Sequence, residues 1–286
     1  MDDYNYIIVT PCKNEEVSLP GLIDSIISNT IKPKLWVIVD DGSTDSTPLI
    51  LNQLKEENDF VQIIKNQHSK RDLSFHYAEI VNDAINYSIK YCDDSSIPCD
   101  FIALIDADMV LHSDFFETII GRLHSDPDLG VCSGSAAYYV GDKLVNESGR
   151  SQNPIGGLRV WRKKCFIESG GFPRSYSADS VSNVLAILAG WKIKKYDDII
   201  GITVRPTTST EGFWKGYKMR GVSDYYRDYH PIYVVMKAFK YFTKSPFYIG
   251  VAYLYGYVYG IIKVKEKIEI PEVRHYYRHK YKEFFD

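Results

Sequence analysis

A chain of 286 residues has room for one large α/β domain with an appendage, or for two modest domains. With 45% hydrophobic and 25% charged residues it has the composition of a globular protein, which excludes a disordered one. A net charge of −3 argues against nucleic acid as a partner, but residues 211–286 carry 14 Lys/Arg against 8 Asp/Glu, leaving −9 on residues 1–210. A basic tail on an acidic body points to an anionic partner for the tail, and a membrane surface is one candidate.

The acidic start Met1-Asp2-Asp3-Tyr4 runs straight into a strand-like segment, so no signal peptide is expected. Residues 6–10 (YIIVT) form a β-branched run stopped by Pro11. Residues 35–39 (LWVIV) form a second, ended by Asp40-Asp41-Gly42-Ser43. Residues 61–64 form a third, residues 101–105 (FIALI) a fourth ended by Asp106, and a weaker fifth begins at Val131. Continuous apolar runs are what a parallel sheet covered on both faces requires. Between the runs lie stripes of helical period: Leu19, Leu22, Ile23, Ile26 and Ile27; then Ala78, Val81, Ile85 and Ile89; then Phe115, Phe116, Ile119, Ile120 and Leu123. Ser43–Thr47 offers N-caps ahead of Pro48. Strand–helix alternation predicts an α/β fold with a mostly parallel sheet flanked by helices, which binds ligands beyond the carboxyl ends of its strands.

After Gly149 the sequence reads as loops rich in Gly, Ser and Pro, with a helix at 180–189. From Glu211 it becomes aromatic and basic, holding 14 of the 23 tyrosines. We therefore expect an α/β domain over 1–210 and a helical extension over 211–286. Five cysteines (Cys12, Cys92, Cys99, Cys132, Cys165) form no C-x-x-C pair, so neither a zinc site nor a redox pair is expected, and reduced thiols fit a cytoplasmic protein. The sequons at Asn86 and Asn146 then carry no meaning.

The strongest chemical signal is Asp106-Ala107-Asp108, two carboxylates one residue apart beyond a buried strand, able to converge on one hard cation. Such a cation neutralises a diphosphate as it leaves. Asp40-Asp41-Gly42-Ser43-Thr44-Asp45 is the second. A turn and N-cap account for Ser43, Thr44 and Asp45, but adjacent carboxylates repel and call for another reason. A carboxylate after the second strand can accept hydrogen bonds from a base or a ribose. Neither a P-loop nor a G-x-G-x-x-G run is present.

Three ordered segments resemble the signatures of family 2 glycosyltransferases, which have the GT-A fold: residues 9–16 (VTPCKNEE), 39–45 (VDDGSTD) and 104–108 (LIDAD). Gly170-Gly171-Phe172, Asp179 and Gly190-Trp191 resemble the acceptor-half pattern of the same family. The resemblance implies an inverting transfer of a sugar from a nucleoside-diphosphate sugar to an acceptor hydroxyl on a glycan or lipid-linked acceptor, with Mg²⁺ or Mn²⁺. It places Thr10, Pro11, Lys13 and Glu15 around base and ribose, with Asp41 holding either one. Asp106 and Ala107 fall at the donor, Asp106 and Asp108 at the metal, and Asp179 at the general base. Asp179 fits a helix N-cap equally well. The chain departs from the family pattern in having one acid at 178–179, Leu185 where an Arg is common, and no His in 202–205. Arg71 is the choice for the diphosphate, with His76 as the weaker candidate. Trp161, Arg162, Trp191 and Trp214 are candidate sugar contacts that fit the core equally well. The rivals are a glycosyltransferase-like scaffold without catalysis and a nucleotidylyltransferase, whose basic Gly-rich loop residues 11–16 do not provide.

The tail has 18 uncharged residues between Lys244 and Lys263, with Lys237, Lys240 and Lys244 before and Lys263, Lys265 and Lys267 after. Pro246, three glycines and five tyrosines suit the membrane interface better than a span. Residues 237–267 therefore fit salt-sensitive adsorption to the inner face of a membrane, or an amphipathic hairpin packed on the protein. Gly256-x-x-x-Gly260 suits a close helix approach.

Overall fold

The computed structural model describes residues 4–67, 75–146, 152–204 and 212–284. They fall into two compact units, one of residues up to 174 with 178–204, the other of 175–177 with the chain from 205 onward.

The first unit is built on a nine-stranded sheet. The continuous apolar runs become β1 (Tyr6–Cys12), β2 (Leu35–Asp40), β3 (Val61–Lys65) and β4 (Phe101–Ile105), all parallel, in the order β3-β2-β1-β4. Burial on both faces is why they lack alternation. Ile8, Trp36, Ile38 and Ala103 pack on one side with α1 (Leu19–Ile27), α2 (Thr47–Glu57) and α4 (Phe115–Ser125). Ile7, Val9, Val37 and Ile102 face the other side, where Ala78, Val81 and Ile85 of α3 (Phe75–Asp94) cover them.

Beyond β4 the sheet turns mixed. β8 (Leu158–Arg162) lies antiparallel to β4. Next come β6 (Leu129–Val140) and β9 (Lys192–Thr203), parallel to each other, and then the short edge strand β5 (Met109–Leu111). β7 (Lys143–Asn146) pairs with the end of β6. α5 (Lys163–Ser169) and α6 (Ala178–Leu188) complete the unit. The stretch after Gly149 thus holds two strands as well as the expected helix. The sequence of β9, KIKKYDDIIGIT, does not read as a strand because it mixes charges into a segment exposed at four of its twelve positions. Its Lys195 is fully buried and pairs with Asp197 at 2.9 Å.

The second unit is helical: α7 (Phe213–Tyr226), α8 (Pro231–Phe242), α9 (Ile249–Tyr259) continuing into a π turn at Gly260–Val264, and α10 (Pro271–His279). α7 and α9 touch backbone to backbone. A Cβ on Gly221 would strike the Tyr253 carbonyl, and one on Gly256 the Lys218 carbonyl, so both positions need glycine for contact distance alone. Gly260 makes the same accommodation for the Tyr225 ring.

An ion cluster closes this unit. Asp224 has no exposure and accepts hydrogen bonds from Lys237 (2.6 Å), Arg227 (2.7 Å) and the Tyr253 hydroxyl (2.6 Å). Burial pushes its carboxyl up, but Lys237 and Arg227 outweigh burial and hold it below the usual range. Asp228 takes Lys267, Arg274 and Arg278. Two of the six lysines expected to face lipid, Lys237 and Lys267, are therefore committed to internal carboxylates. Asp224→Asn is expected to cost about 3–5 kcal/mol, because it strands two cations. A urea unfolding midpoint at neutral pH measures it. Because the folded carboxyl is depressed, the wild-type advantage is present at neutral pH and fades as pH falls through the depressed value.

Candidate functional site

The parallel register brings three strand ends side by side: Cys12 pairs with Asp40, and Val9 with Leu104, so the loops after β1, β2 and β4 leave the sheet together. The first two loops lock to each other. Asn14, at φ 54°, donates its N–H to Ser43 Oγ (2.9 Å) and accepts the Thr44 N–H (2.8 Å). Glu15 donates its N–H to Thr47 Oγ1 (2.8 Å), Glu16 its N–H to Asp45 Oδ2 (3.2 Å), and Ser46 its N–H to Glu16 Oε2 (2.9 Å).

Within this frame the two neighbouring acids divide their tasks. Asp40 Oδ1 accepts the Ser43 N–H at 2.9 Å and shapes the turn. Asp41 is buried; Lys13 Nζ lies 3.3 Å from its Oδ2 and 2.6 Å from its carbonyl oxygen. His76 Nε2, from the first turn of α3, reaches both carboxylate oxygens at 3.0 and 3.1 Å. Glu15 is also buried and accepts from Ser18 Oγ. Pro11 is half-buried. Thr10 has no exposure, and its hydroxyl accepts from Trp36 Nε1 at 3.0 Å inside the core.

Asp106 and Asp108 follow β4. Tyr77, one residue after His76, donates its hydroxyl to Asp106 Oδ1 at 2.9 Å. The Asp106 N–H reaches the Gly157 carbonyl at 3.0 Å, and a Cβ at Gly157 would occupy the space of the Asp106 carboxylate. Ala107 is buried between the two acids. Asp108 Oδ2 accepts from Thr203 Oγ1 at 3.2 Å, and the Asp108 carbonyl accepts the Val204 N–H at 3.1 Å, so the end of β9 fixes it. Burial, then the charge of Asp108, push the Asp106 carboxyl up to about 7, with Glu15 and Asp179 adding to the effect. Among the described residues no group of three or more His, Cys, Asp or Glu is placed to hold a metal.

Asp179 stands in the first turn of α6, and a Cβ on Gly156 would lie 3.8 Å from its Cβ. Beneath it, Arg159 of β8 is fully buried and donates to the carbonyls of Ile155 (2.9 Å), Pro154 (3.1 Å) and Asp179 (3.2 Å), and to Asn183 Oδ1 (2.9 Å). Burial lowers its pKa to about 10, against the opposing pull of Asp179 and Tyr77. Arg159 therefore joins the loop before β8 to the start of α6, and its charge acts on Asp179 and Tyr77.

The structure thus gathers Glu15, Asp106, Asp108 and Asp179 at one end of the sheet, with Lys13 and Asp41 at the adjoining loops. Arg71 lies outside the described residues. Trp161 and Arg162 are structural: Trp161 is fully buried, and Arg162 donates to the carbonyls of Leu123, Leu129 and Asp126. Trp191 donates to Glu168 at 3.1 Å. A cavity of about 500 Å³ between β5, the start of α4 and β9 is lined by Val110, His112, Leu144 and Ile202 and holds none of the site carboxylates.

Tyr77, Arg159 and Thr203 are absent from the sequence-based set. Arg159 has a legible signal, a charge inside the apolar run Leu158–Trp161. Tyr77 offers a polar tip beside an apolar stripe. Thr203 offers none.

A family model described as Glycosyl transferase family 2 matches residues 7–178. The chain is 23% identical over 227 residues to a poly-beta-1,6-N-acetyl-D-glucosamine synthase of Staphylococcus aureus, which covers 71% of this chain and 50% of the synthase. The chain spans about half the length of the curated relatives it matches. A mannosyltransferase from Pyrobaculum calidifontis, solved with GDP-Man and Mn²⁺, superposes with TM-score 0.56 at 15% identity, covering 91% of this chain and 70% of that one. S. aureus TarS 1-349 in complex with UDP-GlcNAc superposes with TM-score 0.56 at 14% identity over 84% of this chain and 73% of that one. At such identities the structures show a shared fold, that of GT-A glycosyltransferases. With the family model spanning more than half of its residues, the chain belongs to glycosyl transferase family 2.

Proposed function

We propose that the protein transfers a hexose from a nucleoside-diphosphate sugar to an acceptor hydroxyl, with inversion at the anomeric carbon and with help from Mg²⁺ or Mn²⁺. The observation that carries this reading is the gathering of carboxylates at the ends of β1 and β4 and at the start of α6.

Asp41, steadied by Lys13 and His76, accepts from the base or ribose beside Pro11 and Glu15. Asp106, oriented by Tyr77, and Asp108, oriented by Thr203, face the diphosphate side, and Ala107 lets the chain pass close to the donor. Burial and then the charge of Asp108 raise the Asp106 carboxyl, and a shared cation fits such a pair. Two carboxylates suffice where diphosphate oxygens and water complete the shell. When bound, the cation offsets the charge that develops on the leaving diphosphate. Asp179 takes the proton of the acceptor hydroxyl as its oxygen bonds to the anomeric carbon and the bond to the diphosphate breaks. Arg71 remains the proposed cation for the diphosphate. The acceptor is a glycan or a lipid-linked hydroxyl, and the site of action is the cytoplasmic side of a membrane.

The donor class is supported by the solved relatives that carry GDP-Man or UDP-GlcNAc. The test is release of nucleoside diphosphate from UDP- and GDP-hexoses with oligosaccharide and polyprenyl-phosphate acceptors, with Mn²⁺ or with chelator. Metal-dependent release from at least one donor is expected, together with a thermal shift, since a ligand at 100 times its Kd stabilises by about 2.7 kcal/mol. Neither release nor a shift with any donor makes the chain a non-catalytic scaffold.

A further inference from the structure

The second unit carries an uneven share of exposed apolar surface. Among the described residues, fourteen of the exposed large apolar side chains fall within 212–284 and twelve in the much longer remainder. On α8 the exposed ones are Ile232, Val235, Phe239 and Phe242, steps of three, four and three residues that follow one helix face. On α9, its N-cap and its π turn they are Tyr248, Val251, Tyr255, Val258, Ile261 and Ile262, again along one side. The opposite faces are buried, by Val234, Ala238 and Tyr241 on α8 and by Ala252, Tyr253 and Gly256 on α9. Phe242 packs on Gly250, which joins the ends of the two helices, and the Trp214 ring lies 6.3 and 6.1 Å from Tyr248 and Tyr255.

A helix that is apolar all round belongs in a protein core or against lipid. No charged residue occurs from 245 to 262, a stretch that includes all of α9, yet Val251, Tyr255 and Val258 of that helix are exposed. We infer that α8 and α9 form a monotopic membrane-docking face whose aromatic and aliphatic side chains enter the headgroup layer of an anionic bilayer. Three observations select a bilayer as the occupant. No helix among the described residues is long and apolar enough to cross a membrane, so the face lies in the plane of the surface. Tyr, Trp and Phe, which suit the interface between headgroups and acyl chains, make up much of it. And residues 231–265 hold five lysines and no acid. Lys237 turns inward to Asp224, while Lys240, Lys244, Lys263 and Lys265 stay exposed at the ends of the helices. A second copy of the same face would bring these lysines against one another without a counter-charge, whereas anionic headgroups complement them.

This differs from adsorption through lysines alone. Four exposed lysines give a preference for anionic lipid that salt removes, while the apolar stripes give attachment that salt does not remove. The experiment is flotation of the full chain with phosphatidylcholine vesicles and with vesicles also containing phosphatidylglycerol, at low salt and at about 1 M, where the Debye length is about 3 Å. The wild type is expected to float best with the anionic vesicles at low salt and to keep a measurable bound fraction at high salt. Phe239→Glu/Val251→Glu, two exposed positions, should lower partitioning on the order of a hundredfold or more. Its unfolding midpoint should stay unchanged. If that variant unfolds, Phe239→Ser/Val251→Ser serves in its place. Lys240→Ser/Lys263→Ser should lose only part of the anionic preference. A wild type that fails to float, or one whose flotation vanishes at high salt, overturns the proposal. So does a soluble dimer that Phe239→Glu/Val251→Glu splits into monomers while neither form floats, which would make the face a contact between copies.

Discussion

Asp179→Asn is expected to reduce turnover by roughly 10²–10⁴-fold while leaving donor affinity nearly unchanged. The amide is close in size to the carboxylate and keeps the first turn of α6, but it cannot take a proton from the acceptor. The backbone contact from Arg159 to the Asp179 carbonyl is untouched by the exchange, so the helix start stays tied to the loop before β8. The measurement is kcat against donor KM, with donor binding followed separately by calorimetry. A parallel fall in donor binding and turnover would identify Asp179 as a structural residue of the helix start, the other role its position allows.

Asp108→Ala should abolish metal-dependent donor binding. The substitution removes one of two carboxylates and leaves Asp106 alone to hold a divalent ion, and it removes the hydrogen bond from the Thr203 hydroxyl. Asp45→Ala is the matched control. Asp45 lies in the loop after β2, where its carboxylate accepts the N–H groups of Thr47 (3.0 Å) and Glu16 (3.2 Å). Its loss should cost on the order of 1 kcal/mol of stability and leave donor binding intact. Titration of the wild type and both variants with a nucleoside diphosphate, with and without Mn²⁺, separates the two effects. Unchanged Mn²⁺-dependent binding in Asp108→Ala would remove the proposed metal site.

Local sequence carries the parallel half of the sheet because burial on both faces writes itself as uninterrupted apolar runs. Tyr6 to Val9, Leu35 to Val39 and Phe101 to Ile105 could hardly be anything else. The same logic fails for β9, whose burial alternates irregularly and whose fully buried Lys195 depends on Asp197, two residues on. It also fails for β8, a five-residue strand made regular only by β4 and β6 on either side.

For the site, the sequence by itself determined which acids follow which strands, since Asp41, Asp106 and Asp108 end apolar runs and ligands bind such sheets beyond the carboxyl ends. It also determined that the tail is basic, aromatic and free of charge over 245–262. Only the tertiary structure decided the rest, because the deciding contacts join residues far apart in the chain. Tyr77 meets Asp106 across 29 positions, His76 meets Asp41 across 35, and Thr203 meets Asp108 across 95. Thr10 shows the converse: it sits inside a resembling motif, yet Trp36 from the neighbouring strand claims its hydroxyl for the core. In the tail, composition could not say which lysines turn inward. Asp224 and Asp228 draw in Lys237 and Lys267, because a buried carboxylate must be paired, while Lys240, Lys244, Lys263 and Lys265 stay exposed.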